Sequence, residues 1–148
     1  MELNFEKAGG LLPAVIQESG TGKVLMLGFM NAEALKKILE TGFATFYSRS
    51  RECLWVKGES SGHVLKVRDV LVDCDLDTLL IVAEQVGPGT CHNGYHSCFY
   101  RRIQGEDLVE AEEPAFDPAK VYGSTSTSST SPDPGKQQAR NRGGNGDA

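Results

Sequence analysis

The chain has 148 residues, 39% of them hydrophobic and 24% charged, which is the composition of one globular domain with a sizeable core. Its net charge of −5 argues against non-specific nucleic-acid binding, because that binding needs a clustered basic surface. No apolar stretch approaches the ~20 residues of a transmembrane helix, and the N-terminal MELNFEKAGG lacks the features of a signal peptide, so we expect a cytoplasmic protein.

The N-terminal third of the sequence predicts a strand followed by a helix. Residues 23–29 (KVLMLGF) have the apolar character of a strand, in which Gly28 marks a weak point or a close backbone approach. Asn31 is a favourable N-cap, and apolar residues recur at helical spacing over 34–39 until Gly42 supplies a C-terminal stop. The sequence therefore predicts a helix between Asn31 and Gly42.

Beyond this helix the pattern changes to that of strands, which are predicted over residues 43–48, 54–57, 64–72, 78–86 and 97–103. Residues 79–83 (LLIVA) are apolar on both faces, which is typical of a central strand or of a short buried helix, and periodicity alone does not separate the two. The predicted fold class is α+β, mainly β. We expect a compact mixed-sheet or open-barrel-like domain with one helix, spanning residues 1–105.

The C-terminal part of the chain has a different composition. Residues 106–122 are rich in acidic side chains, and we predict an acidic connector that is solvated. Residues 123–148 are rich in Ser, Thr and Gly and contain almost nothing apolar. Because burial cannot offset the entropy lost on ordering such a segment, we predict that it is a disordered tail.

Residues 73–100 hold three of the four cysteines and the densest metal-binding chemistry. Three aspartates alternate with Cys74 over residues 73–77, so in an extended segment the carboxylates share one face and the thiol lies on the other. Reduced thiols suit Zn²⁺ and carboxylates suit Mg²⁺ or Ca²⁺. Cys53 is expected to be an ordinary core residue. Two sets of metal ligands are predicted. The thiol set is Cys74, Cys91 and Cys98, and the carboxylate set is Asp73, Asp75 and Asp77.

Alternatives to a catalytic zinc site are open at this point. A structural zinc normally has four protein ligands, with His92 or His96 as the fourth, which would make the chain a non-catalytic zinc-stabilised binding module. If neither histidine binds, water takes the fourth position, and His92, beside Cys91, is placed to act as general base or acid. An EF-hand register from the aspartates to Glu84 is disfavoured, because Thr78 stands where that loop needs glycine.

Residues 47–62 (YSRSRECLWVKGESSG) form a second dense polar stretch. Basic side chains and hydroxyls are the groups that bind phosphate, and an aromatic ring can pack on a base. Because Mg²⁺ commonly engages substrate phosphates, the nearby aspartates strengthen this interpretation. The candidate substrate-binding residues are Arg49, Arg51, Trp55, Lys57, Ser60 and Ser61.

Taken in order, these motifs resemble the phosphoribosyl-AMP cyclohydrolase family of histidine biosynthesis. The resemblance covers about residues 10–103 and rests on the motifs YSRSR (47–51), LWVKGESSG (54–62), DCDLD (73–77), CHNG (91–94) and SCFY (97–100). It implies a hydrolase acting on C–N bonds of cyclic amidines. Such an enzyme opens the adenine ring of N1-(5-phosphoribosyl)-AMP by attack of water at C6, with cleavage of the N1–C6 bond.

The resemblance also implies the composition of the site and the partners. It implies a small-molecule nucleotide substrate and a role for His92 in proton transfer, whereas the charge and the lack of a long apolar stretch predict no nucleic acid or membrane as partner. It implies a homodimer whose zinc site combines Cys74 of one subunit with the other two cysteines of its partner. The implied cofactors are Zn²⁺, held by Cys74, Cys91 and Cys98, and Mg²⁺, held by Asp73, Asp75 and Asp77.

Overall fold

The computed structural model describes residues 1–122, and the predicted disordered tail lies outside these residues. The strands are β1 (Leu12–Glu18), β2 (Val24–Met30), β3 (Thr45–Ser48), β4 (Cys53–Val56), β5 (Leu65–Val72), β6 (Leu79–Gln85), β7 (Arg101–Gln104) and β8 (Asp107–Glu110). The helices are α1 (Ala32–Thr41) and α2 (Pro118–Tyr122), and a 3-10 turn covers Glu6–Ala8. Among the described residues, no helix is long and apolar enough to span a membrane.

The main sheet has four strands in the order β2-β1-β6-β5. Strands β1 and β6 are parallel, whereas the other neighbours are antiparallel, so the sheet is mixed. The LLIVA segment is the central strand β6, with β1 and β5 on its two sides. One of its faces is buried and the other is half-buried. The mainly β, α+β class with one main helix is thereby confirmed.

Helix α1 begins and ends at the capping residues that the sequence predicts. The Asn31 side-chain oxygen accepts a hydrogen bond from the Ala34 N–H at 2.9 Å, and Gly42 ends the helix with a φ of 77°. The buried side chains Ala34, Leu35 and Ile38 join the main core together with residues of β1, β2 and β6. The prediction of this helix is confirmed.

Gly28 lies on β2 where the hairpin of β3 and β4 approaches the main sheet. The Phe46 ring is fully buried against it, and a Cβ atom at position 28 would overlap that ring. The close approach at Gly28 is thus made by a side-chain ring and not by another backbone, and the missing side chain leaves the space that Phe46 of β3 occupies.

The fold differs from the sequence-based expectations at three places. Residues 97–100 are not a strand. The Ser97 hydroxyl and the Cys98 N–H donate hydrogen bonds to carbonyls of β2, and strand pairing begins only at Arg101. The structure also contains β1, which the sequence does not predict because Pro13 near its start lowers strand propensity. Cys53 is exposed instead of buried, because it begins β4 directly after the tight turn of its hairpin.

Candidate metal and substrate site

The turn of residues 73–78 joins β5 to β6 and gathers three carboxylates. One Asp73 carboxylate oxygen accepts hydrogen bonds from the Asp77 and Thr78 N–H groups at 3.0 Å each, and Leu76 adopts a left-handed φ of 65°. The segment is therefore a turn, and the extended conformation considered for it is wrong. One oxygen of each of Asp73, Asp75 and Asp77 nevertheless lies within 4.8 Å of the others.

A lysine from the N-terminal turn reaches this carboxylate group. The Lys7 ammonium lies 2.7 Å from an Asp75 oxygen and 2.6 Å from an Asp77 oxygen, and the Asn4 N–H donates to the Leu76 carbonyl at 2.7 Å. The hydrogen bond from Lys7 is the main cause that lowers the pKa of Asp75 to about 2, and the two carboxylates raise the pKa of Lys7. Sequence reasoning missed Lys7, because nothing local connects it with the turn.

The same turn excludes the EF-hand interpretation. An EF-hand needs a twelve-residue loop, whereas β6 begins at Leu79 and places Glu84 in a regular strand opposite Lys66. The Arg68 guanidinium pairs with Glu84 and lowers the pKa of its carboxyl. The three aspartates therefore offer a compact set of hard oxygen donors, which suits Mg²⁺.

The second part of the site is the loop that follows β6. Cys91 opens a turn in which its carbonyl accepts the Gly94 N–H at 3.0 Å and its own N–H donates to the Tyr95 carbonyl at 3.1 Å. Cys91 is buried and packs with Cys98 against the stacked rings of Tyr95 and Tyr100, whose centroids are 3.5 Å apart. The two thiols thus belong to one small cluster, and the half-buried His92 lies in its turn.

The predicted acidic connector contributes residues to this loop. The Ala115 and Phe116 N–H groups both donate to the Gly94 carbonyl, at 2.7 and 3.0 Å. Gly94 has a φ of 95°, and a Cβ atom there would overlap the Phe116 carbonyl oxygen. The Phe116 ring meets His63 edge-on, with 4.9 Å between centroids. Residues 111–117, named here the strap, therefore close over the loop that carries Cys91.

His96 has a contact that bears on the four-ligand alternative. Its Nε2 atom lies 2.9 Å from a carboxylate oxygen of Glu18 at the end of β1, and its carbonyl accepts the Thr90 N–H. One of the two histidines considered as a fourth zinc ligand is therefore already engaged by a carboxylate.

The three cysteines of the predicted zinc set do not meet within one copy of the described chain. Among residues 1–122, three metal-binding side chains come within reach of one ion only at the aspartate turn. Cys74 is exposed on that turn, whereas Cys91 is buried in the aromatic cluster with Cys98 beside it. None of the described cysteines forms a disulfide.

The candidate substrate residues lie on the hairpin of β3 and β4 and on the turn after it. The Arg49 guanidinium stacks 4.3 Å from the centre of the Phe29 ring, and the Trp55 ring lies 4.9 Å from that of Phe46. Ser61 accepts the His63 N–H at 3.1 Å. Of the remaining candidates, Arg51 and Ser60 are exposed and Lys57 is half-buried. The basic and hydroxyl groups are thus accessible on the surface.

Comparison with known proteins places the chain in a family. A profile of the phosphoribosyl-AMP cyclohydrolase family matches residues 26–100. Relatives named phosphoribosyl-AMP cyclohydrolase include one from Solibacter usitatus, 55% identical over 126 residues, which are 85% of this chain and 100% of that protein. A second, from Methanococcoides burtonii, is 56% identical over 120 residues, which are 81% of this chain and 95% of that protein. The chain therefore belongs to the phosphoribosyl-AMP cyclohydrolase family of hydrolytic enzymes.

Proposed function

We propose that the chain catalyses hydrolytic opening of the adenine ring of N1-(5-phosphoribosyl)-AMP at the N1–C6 bond, in histidine biosynthesis and in the cytoplasm. The observation that carries this proposal is the family match over residues 26–100, which includes the aspartate turn, all three cysteines of the zinc set and His92. It favours an enzyme over a non-catalytic binding module.

A zinc ion is the cofactor that the thiols fit. Three thiolates are soft donors with the right number for a catalytic zinc, which keeps one position open. When bound, Zn²⁺ would supply Lewis-acid activation of the attacking water. We propose that Cys74 of one subunit joins Cys91 and Cys98 of its partner in a homodimer. The exposure of Cys74 and its separation from the other two thiols support this arrangement.

His92 is the residue that we assign to proton transfer. Attack of water at C6 releases a proton from the water oxygen, and cleavage of the N1–C6 bond leaves a nitrogen that must gain one. An imidazole can accept the first proton and donate it to N1, because its usual pKa lies near neutrality. The turn from Cys91 to Gly94 holds His92 next to Cys91, which is a proposed zinc ligand, and this position supports the role in proton transfer.

The remaining site residues would bind and orient the substrate. The substrate carries two phosphates, and an acidic chain must meet them with local cations. We propose that Asp73, Asp75 and Asp77 hold a Mg²⁺ ion that engages phosphate. The direct phosphate and base contacts would come from Arg49, Arg51, Trp55, Lys57, Ser60 and Ser61.

The ultraviolet spectrum of phosphoribosyl-AMP mixed with the purified protein tests this function. We expect a spectral change that disappears when metal is removed and returns with added Zn²⁺. Cys74→Ser should abolish the change, whereas Cys53→Ser is a matched control in a second exposed cysteine and should keep it. Full activity in a zinc-free Cys74→Ser protein, or no spectral change with replete metal, would contradict the proposal.

A further inference from the structure

The strap carries a half-buried phenylalanine, Phe116, that contacts the cysteine loop, residues 87–96, in two ways. Its ring packs on the backbone of Gly89, because a Cβ atom at that glycine would lie only 2.7 Å from the ring. Its N–H donates to the Gly94 carbonyl at 3.0 Å. Phe116 is therefore held on both sides of Cys91 in the sequence, by side-chain packing before it and by a backbone hydrogen bond after it.

The turn of residues 58–63, named here the serine turn, meets Phe116 through its last residue. The His63 and Phe116 rings lie edge-to-face, with 4.9 Å between centroids and an angle of 89°, which is an arrangement that aromatic pairs favour. The His63 N–H donates to the Ser61 hydroxyl oxygen at 3.1 Å, and a Cβ atom at Gly58 would overlap the His63 carbonyl. The backbone of His63 is therefore fixed in the serine turn, and its ring connects this turn with the strap.

The His63 ring is held by packing. A Cβ atom at Gly87 would lie 2.8 Å from its Cδ2 atom, so the ring packs closely on that backbone as well as on Phe116. Its Nδ1 atom is buried and has no hydrogen-bond partner among residues 1–122. Because burial of an unpaired polar atom costs free energy, Nδ1 does not stabilise the contact. The shape of the imidazole ring is therefore what the contact depends on.

The two rings join segments that carry different parts of the candidate site. The serine turn precedes β5 and the cysteine loop follows β6, and these strands are antiparallel neighbours. Both segments therefore lie at the same end of the strand pair, where the Val86 N–H donates to the Val64 carbonyl at 3.0 Å. Beyond this hydrogen bond, the contact between His63 and Phe116 connects the hydroxyls of the serine turn with the loop that carries His92.

We propose that the ring contact between His63 and Phe116 fixes the serine turn relative to the cysteine loop, so that both residues are positioning residues for ring opening. The inference rests on the proposed function, which assigns substrate binding to the serine turn and proton transfer to His92. One substrate must reach both segments at once, and a small error in their relative placement lowers the rate of the chemical step. Phe116 itself lies outside residues 26–100, which the family profile matches.

Steady-state ring opening tests the positioning role. Phe116→Ala should lower kcat about tenfold, because placement is lost, while the zinc bound per chain stays that of the wild type. His63→Phe keeps an aromatic ring against Phe116 and removes only an unpaired nitrogen, so it should keep most of the activity. His63→Ala/Phe116→Ala should lose no more than Phe116→Ala, since both changes remove one contact. Tyr122→Ala is a matched control, because it removes another aromatic side chain of the C-terminal segment, 38% exposed, and should leave kcat unchanged.

Amide hydrogen exchange without substrate tests the same contact independently of activity. Phe116→Ala should speed exchange at Gly62 and Gly94, whose N–H groups donate within the serine turn and the cysteine loop, and Tyr122→Ala should not. Faster exchange in the strap alone, or a wild-type kcat in Phe116→Ala, would overturn the proposal. A wild type that opens no ring, while exchange in Phe116→Ala still rises in both segments, would instead reject the proposed function and leave the connection between the two segments standing.

Discussion

Lys7 places a positive charge where the aspartate turn would bind a divalent cation. Its ammonium contacts Asp75 and Asp77 at 2.7 and 2.6 Å, and one hydrogen bond from Asn4 to Leu76 ties the N-terminal segment to the same turn. A cation of charge +2 that binds the carboxylates must displace or share this contact. Because Lys7 and Asp75 are both about half exposed, their contact is weak and sensitive to salt.

The first prediction concerns this competition. Lys7→Met should bind Mn²⁺, used as a spectroscopic substitute for Mg²⁺, about two- to fivefold more tightly than the wild type at low salt, which is the range expected for loss of an exposed ion pair. Electron paramagnetic resonance of unbound Mn²⁺ measures the affinity. Lys36→Met removes a lysine of α1 that pairs with Glu40 and should change nothing. An equal or weaker affinity in Lys7→Met would show that Lys7 does not compete.

The second prediction concerns Gly28. A methyl group at this position overlaps the Phe46 ring, which is fully buried and has little room to move. Gly28→Ala should lower the free energy of unfolding by about 1–3 kcal/mol, the usual effect of overpacking. Urea denaturation measures this change. Phe46→Leu in the Gly28→Ala background should recover part of the loss, and an unchanged stability in Gly28→Ala would contradict the packing argument.

At the scale of elements, the sequence predicts what local chemistry determines. Helix α1 can be predicted because Asn31 and Gly42 mark its two ends, one on each side of the ten helical residues. The contact between the strap and the loop that carries Cys91 cannot be predicted from the sequence. It depends on backbone hydrogen bonds from Ala115 and Phe116 to Gly94, and no pattern of side chains indicates such bonds. The acidic composition of the strap predicts only that it is solvated, and gives no indication that it packs against this loop.

The third prediction tests the strap with two glycines. Gly94→Ala combines a positive φ with overlap against the Phe116 carbonyl, whereas Gly105→Ala has a positive φ of 64° and open space. Gly105→Ala should cost about 1 kcal/mol from backbone conformation alone. Gly94→Ala should cost more, at least about 2 kcal/mol, and should expose the strap to limited proteolysis. Equal stability and equal protease resistance in the two variants would show that the strap does not depend on Gly94.

At the scale of the whole molecule, the sequence predicts which residues could bind metal, but it does not predict how the fold arranges them. The motifs select the aspartates and cysteines by type and order, and the structure gathers the carboxylates in a turn. The thiols are different, since Cys74 stays apart from Cys91 and Cys98 in one copy. Their assembly would depend on the contact between two copies, which periodicity and composition do not encode. Only the resemblance to the family indicates it.

A mixture of Cys74→Ser and Cys91→Ser proteins tests the central claim, that each zinc site takes ligands from two copies. Each variant alone should be inactive. After unfolding, mixing in equal amounts and refolding with Zn²⁺, half of the dimers should be hybrids with one intact site of two, so activity should recover to about a quarter of the wild type. A mixture as inactive as its components would contradict a shared site, and so would ring opening by either variant alone.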